Sequence, residues 1–154
     1  MEKSIVAKCY PTRIILFTRL GDIHGSTWTE SNCLTILPVN IPNAVLGTVA
    51  LRHLMLSALN ELTIDERWDL RDSIKQLTKF KTEGQAMKDC KFTSVYLTDK
   101  SIRFEPKENR YSEVRNRSYA FYGMPGATFK IKYPCSPEKI GASIRKAWDA
   151  ALIT

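Results

Sequence analysis

The sequence lacks the marks of several protein classes. No apolar run approaches the roughly 18 residues that a transmembrane helix requires. The N-terminus reaches Pro11 and Arg13 before an apolar signal-peptide region develops. Catalytic signatures such as G-x-S-x-G, a Walker phosphate loop and H-E-x-x-H are missing as well. We therefore expect a cytoplasmic protein that is not an enzyme.

Cysteine and histidine are few and scattered, which argues against a metal site. The cysteines form no C-x-x-C pair: they are Cys9, Cys33, Cys90 and Cys135. A free cysteine beside a strand behaves as a small apolar side chain, so we expect buried thiols, no disulfide framework, no metal ion and no cofactor. Of the two histidines, His53 is expected in the core or at its rim. His24, beside Asp22 and Ser26, has the ingredients of an acid–base site and makes a small enzyme the weakest alternative.

Positive charge is unevenly distributed. The 154 residues carry 23 Lys and Arg against 16 Asp and Glu, a formal net charge of +7. Most of the excess lies in residues 100–154. A basic surface with Tyr and Phe among its arginines suits RNA, so a small basic RNA-binding module is one interpretation. A basic surface that serves solubility alone is another.

Apolar patterning and capping signals predict an α+β fold. Strands are predicted over 4–10, 13–18, 33–39, 92–97, 101–105, 119–122 and 128–133, with loops over 20–30 and 106–117. One helix should begin near Asn43. A second should follow the T-x-x-E capping box of Thr63 and Glu66, and a third should follow the N-cap Ser136. We expect a single domain over residues 1–154, a mostly antiparallel twisted sheet with packed helices.

The order of these segments suggests two related halves rich in β-strands, each ending in a helix. Both helices open on a Pro followed by Leu-Gly or Ile-Gly, at 42–47 and 137–141. Gly47 and Gly141 would permit a close approach of each helix to the sheet. The alternative is that both segments are unrelated first turns of amphipathic helices.

The second predicted helix carries a candidate binding surface. At 3.6 residues per turn, one side is an acidic stripe that includes Asp65, Asp69 and Asp72. The apolar side expected to face the core consists of Leu70, Ile74 and Leu77. Trp68 falls beside the acidic stripe, where an outward Trp rimmed by carboxylates would suit a basic protein partner. The alternative is a solvated helix whose Trp folds back over a neighbour.

The predicted loop over 106–117 is a second candidate surface. Its candidate contact residues are Arg110, Tyr111, Arg115 and Arg117, together with Tyr119 just after the loop. Such residues could contact RNA or an acidic protein. They could also belong to a solvated loop without a partner.

The chain has a strand-rich start, KCYPTRIILFTR, two similar helix openings at 42–47 and 137–141, and the C-terminal stretch SPEKIGASIRKAWDAAL. These segments resemble the immunity proteins of bacterial contact-dependent growth inhibition systems, of the CdiI type. The resemblance implies a cytosolic antidote. It would bind, in a one-to-one complex, the toxin domain delivered by a neighbouring cell, a domain expected to be a nuclease. Inhibition by binding requires no catalytic residue, cofactor or metal.

The net charge bears on how such an antidote would bind. Inhibitors of nucleases are often acidic, whereas this chain is basic. Either the acidic stripe forms a local complementary patch, or the partner's surface is itself acidic, or inhibition works away from the toxin's active site. The candidate toxin-binding residues are Asp65, Trp68, Asp69, Asp72, Arg110, Tyr111, Arg115 and Arg117.

Overall fold

A computed structural model describes residues 2–24, 27–113 and 118–154. In these residues the strands are β1 (Lys3–Cys9), β2 (Arg13–Gly21), β3 (Trp28–Pro38), β4 (Ala58–Leu59), β5 (Lys91–Leu97), β6 (Ser101–Ser112), β7 (Ser118–Gly123) and β8 (Phe129–Lys132). The helices are α1 (Asn43–Leu56), α2 (Ile64–Thr78), α3 (Glu83–Met87) and α4 (Pro137–Ala150). The predicted α+β fold is confirmed.

The strands form one sheet in the order β3-β2-β1-β5-β6-β7, with antiparallel neighbours throughout. β8 pairs with the first residues of β6, and β4 adds a short parallel pairing at the end of β2. At the centre β1 lies against β5, with Val6 opposite Ser94. Because side chains alternate along a strand, each strand of the centre contributes to both faces of the sheet.

The first face of the sheet is covered by α1 and α4, and the main core lies between them. Its large buried side chains include Ile5, Leu16, Leu46, Phe104, Ile144 and Trp148. The Trp148 indole Nε1 donates a hydrogen bond to the carbonyl of Ala7, at 3.0 Å, which ties α4 to β1. The second face holds a smaller apolar cluster centred on Val6, Tyr10, Ile15, Phe17, Cys90 and Phe92.

Gly47 and Gly141 allow α1 and α4 to pack backbone against backbone. A Cβ on Gly47 would lie 1.8 Å from the carbonyl oxygen of Pro137, and one on Gly141 would lie 1.9 Å from that of Asn43. Both distances are far below any van der Waals contact, so only glycine fits. The expectation that these glycines bring each helix close to the sheet is therefore wrong, because they bring the two helices close to each other.

The element order repeats between the two halves of the chain. β1 and β5 each have seven residues and begin 88 residues apart, at Lys3 and Lys91. α1 and α4 each have 14 residues and begin 94 residues apart, at Asn43 and Pro137. β1 and β5 lie side by side, as do α1 and α4, so the strands and helices at the centre of the fold come in equivalent pairs.

The loops predicted over 20–30 and 106–117 are longer than the structure shows, because strands extend into both. β2 extends to Gly21 and β3 begins at Trp28, so only the middle of 20–30 lies between strands. β6 continues through Pro106 to Ser112. Pro106 is tolerated because β6 changes partner there: Phe104 pairs with β8 and Lys107 with β7, so the missing N–H falls between the two pairings.

The cysteines are free, and one of them is buried as expected. Burial raises the pKa of the Cys90 thiol to about 12. The other three are partly exposed, because they lie at the end of a strand, on the edge strand β3 or before α4: they are Cys9, Cys33 and Cys135.

Substitution of Gly47 or Gly141 by Ala should cost at least about 3 kcal/mol of folding free energy, because the methyl group would overlap the facing backbone. Urea denaturation measures the loss. Gly84→Ala in α3 is the matched control, since its Cβ would meet only the Thr82 hydroxyl at 3.7 Å. Equal stability of all three variants would contradict the close packing of α1 on α4.

His53 lies in the core, as expected, and links α1 to two strands. Its Nδ1 is 2.8 Å from the hydroxyl of Thr18 on β2, and its Nε2 is 2.7 Å from that of Thr35 on β3. Burial lowers the pKa of His53 below its ordinary value, because the charged imidazolium would lose solvation.

The lowered pKa of His53 predicts that folding stability falls as the pH drops below the ordinary histidine pKa of about 6.5. Below that pH the unfolded chain binds a proton that the folded protein does not yet take up, so protons favour unfolding. The loss continues until the pH reaches the folded-state pKa. Denaturation between pH 7.5 and 5 tests this, and His53→Gln should remove the slope. An identical slope in the variant would contradict the assignment.

Candidate functional site

The second helix begins as its sequence predicts. The Thr63 hydroxyl accepts a hydrogen bond from the Glu66 N–H at 3.1 Å, and the Glu66 carboxylate accepts one from the Thr63 N–H at 3.3 Å. This capping box satisfies two backbone donors that the helix cannot use itself. It fixes the start of α2 and therefore the direction of its side chains.

α2 packs along β3, at the edge of the second face of the sheet. An Asn32 side chain on β3 donates to the Ser73 hydroxyl at 3.2 Å. Leu70 and Ile74 are half-buried, as expected, but Leu77 is 46% exposed. The prediction that Leu77 faces the core is therefore wrong, because the helix covers only a narrow strip of the sheet.

Trp68 points outward from α2, with 56% of its surface exposed. The Arg71 guanidinium lies over the indole, 5.0 Å from the ring centroid, which holds the ring against the helix surface. The carboxylates of the acidic stripe are all exposed beside it: Asp65, Asp69 and Asp72. The structure thus brings together an exposed aromatic ring and the acidic stripe on one side of α2.

Two adjoining cavities lie beneath α2. The first, of about 520 Å³, separates α2 from the start of β3 and is lined by Trp28, Glu30, Ile64, Arg67, Trp68 and Leu70, among others. The second, of about 400 Å³, continues toward α3 over an aromatic floor that includes Phe17, Phe80, Phe92 and Phe121. Glu30, Arg71 and Ile74 line both cavities. Together they form a continuous concave surface bordered by α2.

A nearly buried ion pair lies in the second cavity. Lys8, 7% exposed, contacts the Glu30 carboxylate at 3.0 Å. Its ammonium group also lies 4.8 Å from the ring centroid of Phe17 and 5.6 Å from that of Phe92. The carboxylate contact and the two ring contacts compensate for the lost hydration of the lysine. The floor therefore combines apolar area with fixed charges of both signs.

Arg110 and Tyr111 lie on the β6–β7 hairpin, which corrects their predicted place in a loop. The Arg110 guanidinium pairs with Glu108 at 2.7 Å and covers the ring of Tyr122 at 4.3 Å. Tyr111 stacks against Tyr119, with ring centroids 4.8 Å apart. Paired side chains along a hairpin explain why so polar a stretch is a strand.

The two predicted surfaces are separate. Three strands, β2, β1 and β5, lie between β6 and β3, along which α2 packs. Arg115 and Arg117 lie outside the described residues. The other feature considered from sequence, His24, is exposed, and its backbone N–H donates to the Asp22 carboxylate at 3.1 Å. Ser26 also lies outside the described residues.

Trp28, Glu30 and Lys8 were missed as site residues. The signal was present in the alternation of Trp28 and Glu30, which places both on one face of a strand. It was hidden because the predicted loop over 20–30 included them. Lys8 could not be recognised because the sequence around a lysine in an apolar strand does not show which carboxylate pairs with it in the fold.

Among the residues that the structure describes, no helix has the length and apolar character needed to cross a membrane. Nor do three or more His, Cys, Asp or Glu side chains come together there as a set of metal ligands.

Solved structures share this fold. A protein of unknown function from Neisseria meningitidis superimposes with a TM-score of 0.76 at 18% identity, covering 98% of this chain and 96% of that one. A toxin and immunity complex, CdiA-CT/CdiI from Yersinia pseudotuberculosis, contains a chain that matches with a TM-score of 0.74 at 15% identity, covering 98% of both chains. No curated protein matches in sequence.

The sequence itself identifies the family. The family model of the CDI immunity protein, CdiI, matches residues 3–151, which is nearly the whole chain. This match agrees with the resemblance seen in the strand-rich start and in the C-terminal helix. The chain belongs to the CDI immunity protein family.

Proposed function

We propose that the protein binds and neutralises the toxin domain of a contact-dependent growth inhibition effector, in the cytoplasm and in a one-to-one complex. Membership of the CDI immunity protein family supports an immunity role. The Yersinia neighbour, described as a toxin and immunity complex, supports a toxin domain as the partner. Neutralisation by binding needs an interface and no catalytic group, so the protein is proposed to be a non-catalytic inhibitor.

The observation that carries the proposal is the exposed Trp68 at the rim of the cleft between α2 and β3. Tryptophan is enriched among the residues that dominate protein–protein binding energy, and here it is presented on a capped helix. The cleft beside it supplies concave apolar area. An exposed aromatic side chain next to such a cleft is typical of a protein-binding surface.

The charge of α2 favours a nuclease as the toxin. Asp65, Asp69 and Asp72 form an acidic surface on a protein whose net charge is +7. A nuclease binds phosphates with basic side chains, and a carboxylate stripe is complementary to such a surface. The acidic stripe thus supplies a local negative surface for a basic nuclease, although the net charge of the whole chain is positive.

Co-expression tests the proposed function. The tagged protein would be produced with the C-terminal toxin domain of its cognate contact-dependent growth inhibition effector, and the affinity of the purified pair measured in moderate salt. We expect a nanomolar one-to-one complex and restored growth of cells that express the toxin. Recovery of RNA in place of the toxin domain, with binding that weakens steeply with salt, would instead support the basic RNA-binding module.

Trp68→Ala should weaken toxin binding by at least tenfold and leave folding stability within about 1 kcal/mol of the wild type, because the ring is exposed. Calorimetric titration and urea denaturation give the two quantities. Trp148→Ala is the contrasting variant: its ring is 3% exposed, and its loss should cost about 3–5 kcal/mol of stability. Unchanged affinity of a folded Trp68→Ala variant would remove α2 from the interface.

A further inference from the structure

Basic side chains line the second face of the sheet, and most of them are neutralised by carboxylates. Lys8 pairs with Glu30 at 3.0 Å. Arg103 pairs with Glu2 and with Glu105, each at 3.1 Å, and Lys107 approaches Glu105 at 3.7 Å. These cations therefore have little charge left for a partner.

Arg19, on the same face, differs from them. In the part of the chain that the structure describes, no carboxylate pairs with it. Glu30 is its direct neighbour in the β2–β3 register, yet that carboxylate is turned to Lys8. Arg19 is only partly exposed, so its positive charge has lost some hydration without gaining an ionic partner.

The hydrogen bonds of Arg19 are also incomplete. One terminal nitrogen, Nη1, makes long contacts to the Ser4 hydroxyl at 3.3 Å and the Tyr96 hydroxyl at 3.4 Å. Its Nε–H is buried and has no acceptor among the described residues. A buried N–H without an acceptor is costly, and such groups are rare in folded proteins.

The surroundings of Arg19 offer hydrogen-bond donors. Ser4 and Tyr96 accept from the guanidinium, so each keeps its own hydroxyl proton to donate. A cation surrounded by donors matches one ligand chemistry well: a carboxylate, which only accepts hydrogen bonds.

Arg19 and its two hydroxyl neighbours, Ser4 and Tyr96, form the Arg19 cluster. Aromatic rings connect this cluster to the cleft between α2 and β3. The Trp28 ring meets the Tyr96 ring edge-on, with centroids 6.4 Å apart, and Trp28 also lines that cleft. On the other side the Arg103 guanidinium covers the Tyr96 ring at 4.3 Å. A partner that contacts Trp68 and fills the cleft would therefore reach the Arg19 cluster without leaving the surface.

We propose that Arg19, with the hydroxyl of Tyr96 beside it, receives the carboxylate of an Asp or Glu side chain of the toxin domain. The inference rests on the proposed function and adds a second, oppositely charged contact to the acidic stripe of α2. A toxin bound in this way presents basic groups to α2 and a carboxylate to the sheet, so the interface selects its partner by charges of both signs.

The test compares Arg19→Gln with wild type in calorimetric titration against the same cognate toxin domain. Removing one partner of a buried charge pair at an interface costs about 2 kcal/mol or more, so we expect binding to weaken at least about 30-fold. Arg52→Gln is the matched control, since it removes the same charge from an exposed position on α1, and its affinity should change less than about threefold. Arg19→Lys, which keeps the charge without the planar fork, should recover only part of the loss.

The toxin side of the contact is found with a double-mutant cycle. Each Asp or Glu of the toxin domain is changed to its amide, and for one of them Arg19→Gln should cause no further loss. Wild-type affinity of Arg19→Gln, with its denaturation midpoint unchanged, would overturn the inference and leave the proposed function standing. If Arg19→Gln does not fold, Arg19→Lys replaces it in the test, and an Arg19→Lys variant with wild-type affinity would also overturn the inference. A wild-type protein that does not bind the toxin domain would overturn both.

Discussion

The contact between α1 and α4 is the constraint on which the rest of the structure depends. Two glycines, 94 residues apart, let the two helix backbones touch, and a single methyl group on either would overlap a carbonyl oxygen of the other helix. Both helices are thereby held side by side over the central strands β1 and β5. Their layer closes the first face of the sheet around the main core. The second face is left to α2 and α3, which cover it only in part and leave the concave surface open.

This division gives the two faces different tasks. The first face consists of close-packed apolar side chains, and its one buried histidine bridges α1 to β2 and β3. The second face holds polar and charged groups whose requirements are only partly met within the chain. Lys8 and Glu30 satisfy each other, whereas Arg19 and Ser94 each retain a buried group that has no hydrogen-bond partner among the residues that the structure describes. In a protein that binds another protein, we expect charged and hydrogen-bonding groups without internal partners to lie at the binding surface.

Local sequence signals predict much of the fold, and nonlocal contacts account for the features that they miss. α4 was predicted closely because Ser136 and Pro137 determine its start through contacts within one turn. The end of β6 was missed because the tolerance of Pro106 depends on a change of partner strand, which no local pattern shows. Trp68 could be placed outside because helical periodicity orients it. Arg19 could not be identified as a site residue from the sequence. Its lack of a carboxylate partner among the described residues depends on the pairing of Glu30 with Lys8, a contact that spans β3, β2 and β1.

Hydrogen–deuterium exchange of the protein, with and without its toxin domain, tests the central claim most directly. The claim is that the surface formed by α2, β3 and the second face of the sheet binds the toxin. The account predicts slower exchange in α2, in β3 and at the end of β2 around Arg19 when the toxin domain is present, with α1 and α4 unchanged. Protection confined to α1 and α4, with α2 exchanging as in the free protein, would contradict it.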